Sequence, residues 1–375
     1  MSENVQVQEQ EQVITGNVNE KNTETAKCPS CGASMIFDPE KQLLRCEFCG
    51  TENAFEIRGN EEQDFEKLFD YNAQWSDETH VFSCNNCGAK VVVSKQEISK
   101  VCPFCGTSNV LEINELSGLK PNALVPFKIG REAAAEKAIT WARKKFFAPR
   151  KFKKYVSHAE EITGMYSPAF TFDTNTVSHY NGRLARVETY TTRVNGKTVT
   201  RTKTVYFNIS GVYNSFFDDI LIQASSKIDQ KSVEKLQPFD TNNSKEYTEE
   251  FLHGYKATQY EKDGKECWAE ARKIIDKRIR AGILAQHSYS YVDYLNVNTQ
   301  CNDTKFKYLL LPIYVGKFNY RKRADKKAKL YNFFVSGFNG KVTGKAPISP
   351  LKVGLLVLGI LGIIGLAVWL GITFI

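Results

Sequence analysis

The sequence predicts a multi-domain protein: two tandem small-β zinc ribbons, then an α+β domain with antiparallel hairpins, then one C-terminal transmembrane helix. Three observations predict this order. Eight of the ten cysteines lie in residues 28–105, as two copies of one spacing pattern. The middle of the chain alternates apolar and polar residues around turn dipeptides, which is typical of hairpins. The last 23 residues carry no charged side chain.

The cysteine pattern is C-x2-C-x14-C-x2-C, and its second copy follows 56 residues after the first. Two thiolates three positions apart fit one edge of a tetrahedral metal site, and fourteen residues suffice for two short strands that bring a second pair opposite. A glycine follows each pair and permits the left-handed backbone of a tight turn. The predicted ligands are Cys28, Cys31, Cys46, Cys49, Cys84, Cys87, Cys102 and Cys105.

Four sulfur ligands make a closed set, so we expect two structural Zn²⁺ ions rather than a catalytic metal, which keeps an open position. Disulfides are disfavoured, because cysteines three apart rarely bridge comfortably and nothing indicates secretion. The pattern does not exclude iron in place of zinc. Modules this small have little core, so the metal would supply much of their folding free energy.

Charge divides the chain into two parts. Residues 1–119 hold nine Lys and Arg against twenty Asp and Glu, a net charge of −11. Residues 120–352 hold forty-one against twenty-two, a net charge of +19. An acidic ribbon region and a basic second part suit different partners.

The C-terminal stretch 353–375 has Thr373 as its one polar side chain. As a helix it would be about 34 Å long, which matches a hydrocarbon core of about 30 Å. Lysines lie only on its N-terminal side, which places that side in the cytoplasm, and metal thiolates also require a reducing compartment. We therefore expect a single-pass protein of the cell membrane with its N-terminal bulk in the cytoplasm.

Composition and turn signals set the predicted boundaries. They are a disordered tail at 1–25, zinc ribbons at 26–58 and 81–118 separated by an acidic linker helix at 59–80, a basic α+β domain at 119–350, and the transmembrane helix at 351–375. Within the basic domain, periodicity predicts helices at 131–147 and 266–285 and strands at 307–318 and 328–338. Asn195-Gly196, between alternating segments, predicts a hairpin at 186–206.

Two basic clusters are candidates for contact with the anionic inner leaflet, where each Lys or Arg near the surface contributes about 1 kcal/mol. A solvated face of a β-domain explains each cluster equally well. The candidate residues are Arg143, Lys144, Lys145, Arg150, Lys151, Lys153, Lys154, Arg321, Lys322, Arg323, Lys326 and Lys327.

The chain resembles the bacterial membrane-anchored proteins with transcription-factor-IIB-type zinc ribbons, the YdjG-like proteins. The resemblance rests on CPSCG…CEFCG and CNNCG…CPFCG, on NALVPFKI at 122–129, on GMYSPAFTFD at 164–173, and on LLLPIYVGKF and GFNGKVTGKAP. It implies a cytoplasm-facing scaffold that recruits a soluble partner in envelope-stress systems. Such proteins are often labelled primosomal or helicase-like.

No phosphate-binding glycine loop supports the helicase label. The nearest candidate, at 337–346, has the wrong spacing and ends in Ala346 where a hydroxyl is required. The five histidines are scattered, and Cys267 and Cys301 have no visible activating neighbours. We therefore expect no enzymatic activity.

The favoured function is a non-enzymatic, membrane-anchored zinc-ribbon scaffold that binds the bilayer and a cytoplasmic protein. The alternative is a membrane-tethered nucleic-acid-binding protein of replication or transcription. It is less favoured because the ribbons lie in the acidic part, which repels phosphate.

Overall fold

The structure is a computed structural model that describes residues 27–69, 79–94, 102–107, 110–113, 119–156, 162–320 and 329–373. The predicted tail, residues 70–78 of the predicted linker helix and the basic cluster at 321–327 lie outside the described residues.

The described residues form sixteen strands and five α-helices. In chain order these are β1 Met35–Asp38, β2 Leu43–Cys46, β3 Glu52–Asn53, β4 Gln63–Asp64, β5 Thr79–Cys84, β6 Lys90–Ser94, β7 Val110–Ile113, β8 Ala123–Leu124, α1 Arg131–Arg143, α2 Arg150–Val156, β9 Ile162–Val194, β10 Lys197–Phe217, β11 Ile222–Gln223, α3 Gln230–Leu236, β12 Lys245–Glu246, β13 Lys256–Thr258, α4 Gly264–Ala285, β14 Tyr291–Tyr320, β15 Lys329–Ser336, β16 Val342–Gly344 and α5 Pro350–Thr373. Short 3-10 helices cover Phe65–Phe69 and Glu249–Leu252.

The first four-cysteine segment forms its own small antiparallel sheet in the order β1-β2-β3. Its apolar side chains do not make a separate core. Phe37 is buried against Phe251, with ring centroids 5.1 Å apart, and shares one buried cluster with Tyr166 of β9. This ribbon is therefore packed onto the later domain.

The second four-cysteine segment joins the large sheet directly. Strands β6, β5 and β7 lie side by side, and β6 pairs antiparallel with β13 through Ala257 and Val92. β13 in turn pairs parallel with β9. The thirteen-stranded sheet thus runs from the second ribbon into the α+β domain.

Three long strands form the middle of this sheet. β9 pairs with β10 on one side and with β14 on the other, both antiparallel. The hairpin predicted at 186–206 is confirmed: β9 and β10 meet at Asn195 and Gly196, whose φ angles of 50° and 78° are those of a type I′ turn.

Helix α4 covers one face of the three long strands. Side chains four residues apart, Ala271, Ile275, Ile279 and Ile283, are buried against β9 and β14. The helix begins with a capping box in which Asp263 and Glu266 exchange hydrogen bonds with each other's backbone N–H groups. The predicted helix at 266–285 is therefore confirmed and begins two residues earlier.

A partly buried ion cluster connects the segment between the ribbons to the sheet. Lys307 of β14 is 4% exposed, and its Nζ lies 3.2 Å from Glu62 and 3.7 Å from Asp219. Desolvation and the neighbouring Glu62 raise the pKa of Asp173 to about 8. Next to this cluster β4 pairs with β14, and only a 3-10 turn, Phe65–Phe69, is described of the predicted linker helix.

The membrane predictions need correction. Within the described part of the chain, no helix combines the length and the apolarity needed to cross a membrane. A span requires about 20 consecutive apolar residues in one helix. The side chains at 367, 368 and 370–375 are not among those described, and the described remainder of α5 does not meet that requirement. The transmembrane helix predicted at 351–375 and the single-pass localisation are contradicted by this finding.

Candidate metal centres

The eight predicted ligands come together as two separate sets of four. In each set the sulfur atoms all lie within 4.8 Å of one another. The Sγ atoms of Cys28 and Cys49 are 3.3 Å apart, and those of Cys84 and Cys105 are 3.5 Å apart. A tetrahedron with Zn–S bonds of about 2.3 Å has sulfurs about 3.8 Å apart, whereas a disulfide bond is about 2.05 Å. Each set therefore fits one metal ion, as the spacing predicts.

The same turn presents the sulfurs at all four cysteine pairs. The backbone N–H of Gly32 donates to the carbonyl of Cys28 at 2.8 Å, and Gly50 donates to Cys46 at 3.0 Å. The turns after Cys84 and Cys102 repeat this bond. The four glycines have φ between 71° and 75°, a backbone conformation that a Cβ atom disfavours. The glycine in each motif is thus required by the turn.

Hydrogen bonds to one cysteine of each set favour its thiolate. Burial opposes ionisation of Cys28, but N–H groups of Ser30 and Cys31 outweigh it and lower the pKa of Cys28 to about 6. At Cys105 burial is likewise outweighed, chiefly by Asn86, and the pKa is lowered to about 7. A thiolate is the form that binds metal, so each set holds a cysteine that ionises near neutral pH.

The two sites differ in what surrounds them. In the first, Cys31 and Cys49 are exposed, whereas in the second Cys87 and Cys105 are half-buried. Lys227 Nζ donates to the carbonyl of Cys87 at 2.7 Å, and Lys317 Nζ donates to that of Cys102 at 3.2 Å. Two lysines of the basic domain therefore lie beside the second site and bind its backbone carbonyls. Sequence reasoning missed these two lysines because they lie far from the cysteines in the chain.

One phenylalanine occupies the same motif position in both ribbons and has opposite environments. Phe48, in CEFC, is 83% exposed, whereas Phe104, in CPFC, is 3% exposed. Phe104 packs in a buried cluster with Ala169 of β9 and Leu309 of β14. The second ribbon thus packs Phe104 of its knuckle, the turn that carries the cysteine pair, against the domain in addition to pairing β6 with β13. The first ribbon packs through its strands and its buried cysteines and leaves Phe48 in solvent.

The basic residues predicted for lipid contact are only partly described. Arg143 and Lys144 at the end of α1 are exposed, as are Arg150, Lys151 and Lys154 in α2. The side chains of Lys145 and Lys153 are half-buried, and Lys153 donates to the carbonyl of Arg143 at 3.0 Å. The remaining candidates at 321–327 lie outside the described residues, and lipid contact stays a prediction.

The two cysteines outside the ribbons have different surroundings. Cys267 is buried on α4, and burial raises its pKa to about 12, so it holds its proton at neutral pH. Cys301 is half-buried and accepts a hydrogen bond from Arg272. Neither belongs to a sulfur set.

Two closed four-cysteine sites on ribbon turns, attached to one large mixed sheet, define a tandem zinc-ribbon-type protein in which each sulfur set can hold one metal ion. The chain is 30% identical over 338 residues to "Uncharacterized protein YdjG" of Bacillus subtilis (strain 168), a match that spans 90% of this chain and 94% of that protein. The chain therefore belongs to the YdjG-like family. No protein-family model matches it, and no solved structure matches it.

Proposed function

We propose that this protein is a non-enzymatic adaptor in which two structural zinc ions hold the ribbons, and that the knuckle of the first ribbon recruits a soluble protein partner. The observation that carries the proposal is the contrast between Phe48, which is 83% exposed, and Phe104, which is 3% exposed. At the same motif position, the second ribbon has a phenylalanine that packs inside the protein, whereas the phenylalanine of the first ribbon is exposed and can contact a partner.

A structural role for the metals agrees with the ligand sets. Each site offers four sulfurs, which complete the coordination of zinc and leave no position for water or substrate. Cys28 and Cys46 are part of the buried cluster that attaches the first ribbon to the domain. Loss of metal there would expose apolar surface shared between the ribbon and the domain.

A protein partner suits the exposed knuckle better than nucleic acid. Aromatic side chains are common anchors of protein interfaces, and truncation of one that is a hot spot costs about 2 kcal/mol or more. Glu47 adjoins Phe48, and residues 1–119 carry a net charge of −11, which opposes contact with phosphates. That such a partner belongs to an envelope-stress complex is an expectation from the family resemblance.

The test compares partners captured by full-length protein and by a Phe48→Ala variant, with Phe216→Ala as the matched control. Phe216 is another exposed phenylalanine, 59% exposed, on β10. We expect at least one protein to be retained by the control and lost from Phe48→Ala. The purified partner should then bind Phe48→Ala at least about tenfold more weakly.

Identical sets of captured proteins from the two variants would contradict the proposal. Saturable binding of duplex DNA at physiological salt that is lost in Phe48→Ala would favour the nucleic-acid alternative instead.

A further inference from the structure

The outer edge of β10 has no strand beside it. β10 pairs with β9 through 21 residues, from Lys197 to Phe217, and among the described residues no other strand pairs with it. β14 covers the far side of β9 only as far as Ala185. Beyond that point β9 and β10 form a two-stranded arm. Unpaired N–H and C=O groups along such an edge are a template for another strand.

The side chains of this edge alternate between two distinct faces. One face presents basic residues between apolar ones, and the other is a row of hydroxyls. The first face comprises Val199, Arg201, Lys203, Val205 and Phe207, and the second comprises Thr198, Thr200, Thr202, Thr204 and Tyr206. Arg and Lys on an edge oppose pairing with a second copy of the same strand. Lys203 already lies 3.2 Å from Glu188 of β9, but both side chains are largely exposed, and with Arg201 beside it Lys203 favours an added strand with carboxylates at alternate positions.

The chain contains such a segment near its N-terminus, outside the described residues. Residues 5–13 read VQVQEQEQV, with valines and glutamates at odd positions and glutamines at even positions. Placed antiparallel to β10, this segment sets Glu11 opposite Arg201 and Glu9 opposite Lys203. In the same register Val7 and Val13 fall opposite valines of β10, and three of the four glutamines fall opposite its threonines.

We propose that residues 5–13 of a second copy of this chain add to the outer edge of β10 as an antiparallel strand. Main-chain hydrogen bonds supply affinity in this mode of recognition, and alternate side chains fix the register. Charge pairs and β-branched pairs directly opposite each contribute about 0.2–1 kcal/mol. This inference does not depend on the proposed function.

Chain length favours a second copy over the protein's own N-terminus as the occupant. Lys27 bridges to Ser34 in the first ribbon, whose core is shared with Tyr166 of β9. Val199 pairs with Thr192, 26 residues further along β9, which is about 85 Å of strand. The chain from residue 13 to Lys27 spans at most about 50 Å. A second copy meets no such limit.

The test uses full-length protein at low concentration and a labelled synthetic peptide of residues 4–15, followed by fluorescence anisotropy. We expect saturable binding that the double variant Arg201→Glu/Lys203→Glu weakens at least tenfold. A peptide carrying Glu9→Lys and Glu11→Lys should bind that double variant and not the wild type. Such a reversal also shows that the variant is folded.

The matched control is Arg193→Glu, which reverses a charge on the same arm but on β9, away from the outer edge. We expect it to bind the peptide as the wild type does. Absence of saturable binding overturns the proposal. Equal weakening by Arg193→Glu, or no recovery with the reversed peptide, also overturns it, because diffuse attraction to the basic arm then accounts for the binding. If duplex DNA displaces the peptide and the edge variants leave peptide binding unchanged, the proposal is overturned as well.

Discussion

The opposite environments of Phe48 and Phe104 make a sharp prediction for stability. A phenylalanine side chain has about 200 Å² of apolar surface, and at about 25 cal/mol per Å² its burial contributes up to about 5 kcal/mol. Phe104 is 3% exposed, so its burial contributes nearly all of this free energy. Phe48 is 83% exposed, so its burial contributes less than about 1 kcal/mol. We expect Phe104→Ala to lower the free energy of unfolding by about 3–5 kcal/mol and Phe48→Ala by less than about 0.5 kcal/mol.

The assay is urea unfolding of zinc-saturated full-length protein, followed by circular dichroism, with the zinc content of each variant measured alongside. Zinc content separates loss of packing from loss of metal, since Phe104 stands between two ligands, Cys102 and Cys105. Equal shifts of the unfolding midpoint in the two variants would refute the inference that the second ribbon docks through its knuckle. An unchanged midpoint in Phe104→Ala would do so as well.

Three further predictions concern the metal and the buried ions. Cys46→Ser should lower the zinc content from two ions to one per chain by elemental analysis, whereas Cys301→Ser should leave it at two, because Cys301 belongs to neither sulfur set. Lys307→Met leaves the half-buried carboxylates of Glu62 and Asp219 without their cation and should cost about 1–3 kcal/mol in urea unfolding; an unchanged midpoint would show that the cluster is solvated. Asp173 has a pKa of about 8 in the folded protein against about 3.9 when unfolded, so its contribution to stability is present below about pH 4 and is lost as pH rises towards 8. Asp173→Asn should flatten the fall in unfolding free energy between pH 5 and 8, and a profile parallel to that of the wild type would contradict this assignment.

The parts that the sequence predicted well are those set by local chemistry. Cysteine spacing and the following glycine determine the knuckle turn, so all eight ligands could be assigned without a structure. Asn195-Gly196 specifies its turn through left-handed φ angles, and the apolar spacing of α4 specifies its buried face. Each of these signals comes from residues that are close together in the sequence, within one helix or one hairpin.

The parts that it did not predict depend on long-range contacts. CEFC and CPFC carry the same phenylalanine, and only the packing of distant strands distinguishes Phe48 from Phe104. Periodicity placed a strand at 307–318, but β14 extends from Tyr291 to Tyr320, because pairing with β9 also stabilises its polar, weakly alternating half. Lys227 and Lys317 reach the second site across more than a hundred residues, a distance over which no local pattern carries information.

The length of β9 helps to determine how far Phe48 of the first ribbon lies from the outer edge of β10. Its 33 residues measure roughly 100 Å along the strand, from the end where the first ribbon is packed to the tip of the arm. A protein bound at Phe48 and a second copy bound at β10, as proposed above, would therefore contact regions that lie far apart along this strand. Shortening β9 and β10 together by equal numbers of residue pairs should bring these two proposed binding regions closer while keeping the residues of each.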